Sequence, residues 1–155
     1  MSVEEHEAAH AGMAVWLQRP VAYVWRDVGS ALPGETVGHV RAPIQDKVEP
    51  SQLAIAIVGY MAEGDPDWPP PYDEACTERL EALGKIIEIL DLDRDQYDRI
   101  VAVTKEILDD PDFRRLVHTI ARAHAACPRL DAQAVRELTA AAGIPLPEGV
   151  PTWST

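Results

Sequence analysis

The chain has 155 residues, enough for one domain of ordinary size but short for two. Acidic residues outnumber basic ones 26 to 14, which gives a net charge of -12. This balance argues against a nucleic-acid partner and against an anionic membrane surface, because both require clustered lysine and arginine. Hydrophobic residues make up 46% of the chain, so we expect a packed core rather than a disordered chain.

The cysteine content and the N-terminal residues favour a cytoplasmic protein. Two cysteines, Cys76 and Cys127, do not form a disulfide framework, and they suit a reducing compartment. The first ten residues, MSVEEHEAAH, contain no apolar core of a signal peptide. The longest nearly apolar run, residues 53–62, is too short to span a bilayer, so we expect no membrane association.

The first part of the chain predicts a helix, a pair of strands and a second helix. Residues 3–18 are predicted to be helical because apolar residues and histidines recur every three or four positions. This inward stripe comprises Val3, His6, His10, Met13 and Leu17. The β-type stretches 21–26 and 35–41 flank a loop-forming segment, 29–34, and predict a hairpin or neighbouring strands. Residues 51–63 form a strongly apolar predicted helix.

The second part predicts helices separated by proline. Residues 64–71, GDPDWPPP, are a rigid loop, and a single helix is expected over residues 72–90, with Cys76 packed in its apolar stripe. Another helix is predicted over residues 94–108. Asp110 followed by proline marks the start of the next helix.

A last short helix is capped by Asp131 and stops near Gly143. The predicted class is therefore α+β, mostly helical, with a small N-terminal β-hairpin or sheet. We assign residues 1–130 to the main domain, and residues 131–155 to a short C-terminal helix and a proline-rich tail.

The segment His6-Glu7-Ala8-Ala9-His10 is an HExxH motif. Residues four apart lie one above the other on a helix, so both imidazoles can bind one zinc ion. Glu7 is then placed to act as general base toward a zinc-activated water. Chance gives about 0.01 such motifs in a chain of this composition. Imidazoles in an inward stripe also cost desolvation energy unless a partner satisfies them.

A catalytic zinc site needs a third protein ligand. The metzincin extension is absent, because Met13 and Trp16 stand where its glycine and third histidine would be. The candidates are the carboxylates around the proline-rich loop: Glu63, Asp65, Asp67, Asp73 and Glu74. We favour Asp73, since a carboxylate in a first helical turn is oriented by neighbouring N–H groups and by the helix dipole. A plain helix-start role is its alternative.

The order of these pieces resembles the FtsH-type zinc peptidase domain over about residues 3–125. That family has HEAGHA, a short strand, a glycine-containing loop, a strand with a Gly-x pair, and a helix ending in Gly-x-x-Ala-Glu. The matching helix end here is formed by Gly59, Ala62 and Glu63. The resemblance implies a zincin-like fold, bound Zn²⁺, peptidase activity, and an Asp opening a helix as third ligand, in the place of Asp73.

The chain departs from the family in ways that bear on substrate and ligand. Ala9 replaces the usual glycine, and Ala75 and Thr77 follow Asp73 at two and four residues rather than at four and five. The likeness is to stand-alone members without the AAA ATPase. We therefore expect a peptide, a flexible tail or an unfolded protein as substrate, and leave a homo-oligomer open.

Two further positions are candidates for supporting roles. Glu63 is expected either to hold a ligand imidazole or to lie in solvent at a helix end. His39 follows Gly38 in the second predicted strand, where an extended substrate could pair with the strand and His39 could steady the oxyanion. An exposed strand histidine is the alternative for His39.

HExxH fixes the metal and the base but not the substrate. The main hypothesis is a zinc metallopeptidase that acts on flexible polypeptides. The first alternative is a zincin-like zinc-binding regulatory or interaction module with little or no turnover. A metal-free helical adaptor and a zinc hydrolase for a non-protein amide are further alternatives.

Overall fold

The structure, a computed structural model, describes residues 3–19, 23–27, 37–41, 49–76, 81–127, 129–149, 151 and 153. Helices dominate and a small sheet accompanies them, which confirms the helix-rich α+β class. The elements are α1 Val3–Trp16, β1 Tyr23–Asp27, β2 Val37–Arg41, α2 Ser51–Ala62, α3 Tyr72–Ala75, α4 Glu81–Leu90, α5 Arg94–Asp109, α6 Pro111–Ala126, β3 Arg129–Asp131 and α7 Ala132–Ala141.

Helix α1 is the centre of the fold, because α2 packs on one side of it and α6 on another. Its fully buried positions include four alanines, Ala8, Ala9, Ala11 and Ala14. Such small side chains let the neighbouring helices approach closely. A helix buried around most of its circumference carries apolar residues on several faces, which explains why α1 has no single apolar side.

Gly12 brings α1 and α6 together. A Cβ atom at this position would lie 3.1 Å from Val117 Cγ2 and 3.6 Å from Phe113 Cε2. Phe113 itself is fully buried and packs edge-on against Trp16, with ring centroids 5.5 Å apart. The close contact fixes the depth of α1 in the core, and with it the position of the HExxH segment.

The sheet has the strand order β2-β1-β3, with both neighbouring pairs antiparallel. The expected pairing of the first two strands is confirmed, and Trp25 lies opposite His39 in the register. Strand β3 was not predicted, because a segment of three residues is too short to show a period-2 pattern. The predicted loop at residues 29–34 lies outside the described residues.

Three helices of the second part of the chain begin directly after an aspartate. Asp93 accepts a hydrogen bond from Gln96 N, and the Gln96 side chain accepts one from Asp93 N, so α5 begins with a capping box. Asp110 accepts from Asp112 N ahead of α6, and Asp131 accepts from Ala134 N ahead of α7. Local hydrogen bonding is sufficient to define these starts, and the predicted caps Asp110 and Asp131 are confirmed. Asp93 was not singled out from the sequence.

The prediction of one helix over residues 72–90 was wrong. Helix α3 ends at Ala75, and α4 begins at Glu81 as a separate element. Cys76 is exposed at the end of α3, whereas Ala75 is the buried residue of that turn. The Tyr72 hydroxyl donates to the Leu92 carbonyl at 2.6 Å, which connects α3 to the residues directly before α5.

None of the helices that the structure describes is long and apolar enough to cross a membrane.

Candidate functional site

The two histidines of HExxH face each other on α1. Their Nε2 atoms lie 3.1 Å apart, and their ring centroids 4.9 Å apart. Both side chains are only partly accessible to solvent. The spacing of four residues on a helix therefore brings the two imidazole nitrogens together, as the sequence predicts.

Each histidine is held through its other ring nitrogen by an acceptor from α2 or its end. His10 Nδ1 lies 2.5 Å from the Ile55 carbonyl oxygen, and His6 Nδ1 lies 3.0 Å from Glu63 Oε1. A carbonyl and a carboxylate only accept hydrogen bonds, so both Nδ1 atoms carry the proton and donate it. In neutral imidazoles this leaves both Nε2 atoms as acceptors with their lone pairs turned toward each other.

The charge state of His10 suits a metal ligand. Burial lowers the pKa of His10 to about 4, although the hydrogen bond to the Ile55 carbonyl works in the opposite direction. His10 is therefore neutral at pH 7. The two Nε2 atoms are 3.1 Å apart, and their lone pairs repel each other unless a proton or a cation lies between them. Both Nε2 atoms are therefore available to bind a cation.

The spacing of the pair fits zinc. Two nitrogens bound at about 2.0–2.1 Å to one tetrahedral zinc ion lie about 3.3–3.4 Å apart. The observed Nε2 separation of 3.1 Å differs from this by a few tenths of an ångström. Neutral imidazoles with an anchored Nδ1 are also the form in which histidine binds zinc. The pair thus fits half of a four-coordinate site.

Glu7 lies between the histidines in the chain and is buried, with 7% of its surface exposed. Burial, and then the negative charge of Glu63, raise the pKa of Glu7 to about 7. A carboxyl group with a pKa near neutrality can both take up and release a proton at pH 7. This is the property that the general-base role requires.

Gly59 on α2 closes one side of the histidine pair. A Cβ atom built on it would lie 2.6 Å from His6 Nε2 and closer still to His10 Nε2. Only glycine leaves room for both rings in their observed positions. The resemblance included Gly59 as part of a helix-end pattern, but nothing in the sequence indicated that it faces the imidazoles.

Glu63 stands at the C-terminal end of α2 and holds His6, with side-chain exposures of 31% and 15% respectively. The contact expected of Glu63 is therefore present. Its role toward a bound metal stays a prediction.

Asp73 lies apart from the histidine pair in an exposed ion pair. Arg94 Nη2 donates to both of its carboxylate oxygens, at 2.8 and 2.7 Å. Within the described residues, no three His, Cys, Asp or Glu side chains form a group that could hold a metal ion. The structure thus brings His6, His10 and Glu63 together but not Asp73, whose role as third ligand stays a prediction.

The other candidate carboxylates face solvent around the proline-rich loop. Asp65 accepts a hydrogen bond from the backbone N–H of Asp67, which shapes the loop itself. Asp67 and Glu74 are exposed. Among these side chains, Glu63 is the one with a contact to the pair.

His39 and Gly38 lie on β2, which is an edge strand of the described sheet and runs beside α1. In the register they are opposite Trp25 and Arg26 of β1. An edge strand next to the HExxH helix is the placement that pairing with an extended substrate requires. The proposed contacts of His39 with substrate stay a prediction.

Two aromatic residues border the pair and were not singled out from the sequence. The Tyr60 ring is edge-on to His6 at 4.7 Å between centroids, and edge-on to Trp68 at 5.2 Å. Trp68 is fixed by its indole N–H, which donates to the Ile57 carbonyl at 2.9 Å. Tyr60 is 47% exposed, so it is a large side chain presented to solvent beside the site. The sequence feature that could have identified Tyr60 is its position directly after Gly59 of the helix-end pattern.

Comparison with protein-family models, with curated proteins and with solved structures found no match for this chain. The case for a metal centre therefore depends on the geometry of these side chains and on the motif that supplies them.

Gly59→Ala should destabilise the metal-free protein. Alanine in a helix interior normally stabilises by about 0.5–1 kcal/mol relative to glycine. Here the added methyl must push the two imidazoles away from their acceptors, so we expect a net loss of about 1–3 kcal/mol, as for other overpacked sites. Urea unfolding measures the free energy of unfolding of each variant. Gly149→Ala is the control and should show no loss, because a Cβ atom there would meet no atom within 4 Å; equal gains in both variants would contradict the crowding.

Glu7→Gln should raise thermal stability in a pH-dependent way. The pKa of Glu7 rises from 4.5 to about 7 on folding, so its ionisation is disfavoured in the folded state. The stability linked to the protonated group is fully present below pH 4.5 and is lost as the pH rises through 7. Glutamine avoids this loss.

Thermal unfolding in EDTA at pH 5 and pH 8 tests this prediction. The midpoint of Glu7→Gln should exceed that of the unaltered chain by more at pH 8 than at pH 5. Each kcal/mol corresponds to about 2–4 °C for a chain of this size. If the difference between the two unfolding midpoints were the same at pH 5 and pH 8, burial would not disfavour the Glu7 carboxylate.

Proposed function

We propose that the protein is a zinc-dependent metallopeptidase that hydrolyses peptide bonds in unfolded or flexible polypeptides. The observation that supports this most directly is the pair of Nε2 atoms 3.1 Å apart, each imidazole anchored through Nδ1, with Glu7 buried beside them. The HExxH motif supplies all three residues. The resemblance to FtsH-type domains gives the peptide as substrate.

His6 and His10 would hold the zinc ion through Nε2. Asp73 is the third ligand that the resemblance implies, and Glu63 is the rival candidate. To bind the metal, Glu63 would have to leave His6 Nδ1, which it contacts in the structure. A zinc ion bound there would polarise the substrate carbonyl and make a water more acidic. Ile55 and Glu63 fix the orientation of the imidazoles and leave Nε2 as the ligating atom of each.

Glu7 performs the proton transfers. It takes a proton from the attacking water and returns it to the nitrogen of the leaving amine. The raised pKa of its carboxyl group, about 7, lets the same side chain serve as base and then as acid near neutral pH. Burial also keeps bulk water from competing for the carboxylate.

The alternative is a zincin-like zinc-binding module with little or no turnover. The specific observation in its favour is that Asp73 is engaged by Arg94, while Gly59 covers one side of the pair. Such a module would bind zinc without cleaving peptides. We place either protein in the cytoplasm, with no nucleic-acid partner, on the grounds of charge and free cysteines.

Glu7→Gln should abolish cleavage while zinc binding remains. The expected loss is about 10²–10⁴-fold in the rate of hydrolysis of fluorescein-labelled unfolded casein, because general-base catalysis contributes that much. Zinc content is measured in parallel by mass spectrometry on the purified variant. Glu106→Gln on α5, an exposed position, is the matched control and should keep full activity. Undiminished cleavage by Glu7→Gln would refute the mechanism.

Asp73→Asn should lower zinc affinity at least a hundredfold if Asp73 is a ligand, while Glu63→Gln should lower it about 10–100-fold as the partner of a ligand. Competition with a fluorescent chelator measures both. The Asp73–Arg94 pair is exposed, and exposed ion pairs contribute little to folding, so misfolding does not explain a loss.

Arg94→Gln is the control for this experiment, because it breaks the ion pair but keeps the Asp73 carboxylate. It should retain zinc. Unchanged affinity in Asp73→Asn together with complete loss in Glu63→Gln would assign the third position to Glu63.

A further inference from the structure

A cleft in the described structure lies next to the histidine pair rather than at it. It lies between the start of α1, the end of α2, the end of α5 and the start of α6, and has a volume of about 630 Å³. Clefts that bind small ligands and peptide side chains typically have about 300–1,000 Å³. Nothing in the HExxH chemistry uses this space.

The floor of the cleft is apolar. Phe113 is fully buried there, and the remaining apolar lining is half-buried. These residues are Met61, Trp68, Leu108, Phe113 and Val117. They come from α5, from α6, from the end of α2 and, for Trp68, from the loop after α2, where the indole N–H is bonded to the Ile57 carbonyl. The floor is therefore held by packed elements. Such a floor suits an aromatic ring or a branched aliphatic side chain.

The rim of the cleft is polar and mixed in charge. Three acidic side chains, two cationic ones and a histidine line it, so the rim is far closer to neutral than the whole chain with its net charge of -12. They are Glu5, Asp65, Asp109, Lys105, Arg114 and His118. A rim of mixed charge favours neither a strong anion nor a strong cation. It complements a neutral chain with both donors and acceptors, which is the chemistry of a peptide backbone.

A row of aromatic rings leads from the pair to this cleft. Tyr60 contacts His6 at 4.7 Å and Trp68 at 5.2 Å between centroids, so the Trp68 ring is at most about 10 Å from the His6 ring. An extended chain advances about 3.3–3.4 Å per residue, so about three residues span this distance. Glu5 on the rim is also the residue directly before His6.

We propose that this cleft binds a bulky apolar side chain, aromatic or branched aliphatic, of a peptide that continues past Tyr60 toward the histidine pair. The direction of the peptide rests on the proposed peptidase function, whereas the binding itself does not. The cleft is thus a specificity site of the chain, with Leu108 and Trp68 in contact with the bound side chain.

Binding of labelled peptides to the full chain in EDTA tests the proposal. The probes are fluorescein-labelled octapeptides of Gly, Ser and Ala that differ at one central position, Phe, Leu, Ala or Asp, and fluorescence anisotropy gives the Kd. Phe and Leu peptides should bind at least tenfold more tightly than the Ala peptide, and the Asp peptide more weakly still. Equal affinities across the series, or binding by none, would overturn the proposal.

Leu108→Ala and Leu138→Ala form a matched pair of variants. Both leucines are half-buried against the core, but only Leu108 belongs to the cleft lining. Leu108→Ala should weaken the Phe peptide about three- to tenfold, because it removes apolar contact area, and Leu138→Ala should change it less than twofold. Equal effects of the two substitutions would overturn the assignment. If Leu108→Ala does not fold, the peptide series on the unaltered chain decides the matter.

The failure of this inference is distinguishable from failure of the proposed function. If the chain has no peptidase activity, the Phe peptide still binds in EDTA. If the cleft does not bind the side chain, cleavage of unfolded protein proceeds, and neither the Phe position nor Leu108→Ala changes the preferred cleavage site.

Discussion

The close packing of α1 between α2 and α6 is the constraint on which the rest of the structure depends. Four alanines and Gly12 give α1 a thin profile, so its neighbours approach on more than one side. This packing places the HExxH segment inside the protein and brings the C-terminal end of α2 into contact with it. Without it, the histidines would be ordinary solvent-exposed imidazoles with no fixed partners.

Burial also sets the chemistry of the charged groups. The same loss of water raises the pKa of Glu7 and lowers that of His10, since each group is pushed toward its neutral form. A neutral imidazole and a carboxyl group poised near neutrality are what metal binding and proton transfer each need. One physical cause thereby prepares two different side chains for complementary tasks.

Sequence reasoning reached the parts of the fold that are locally determined. HExxH predicted the facing histidines because helical periodicity alone brings them together, and Asp110 and Asp131 predicted helix starts through hydrogen bonds to nearby N–H groups. Strand β3 depends on its pairing with β1, which is distant in the chain, so a one-dimensional pattern missed it.

The same distinction applies to the site. The contact between Glu63 and His6 spans 57 positions, and the sequence analysis offered it only as one of two alternatives for Glu63. The approach of Gly59 to the imidazoles, and the ring contacts of Tyr60, require the docking of two helices. No local pattern encodes that docking. The placement of Asp73 beside Arg94 likewise follows from how α3 meets α5.

Both histidines are anchored to one element, His10 through the Ile55 carbonyl within α2 and His6 through Glu63 at its end. The two anchors are separated by about two turns of α2, so they move together whenever this helix moves. A small sliding movement of α2 against α1 would disturb both rings at once and change their separation. The donor geometry is therefore controlled by the registry of two helices, and not by either histidine independently.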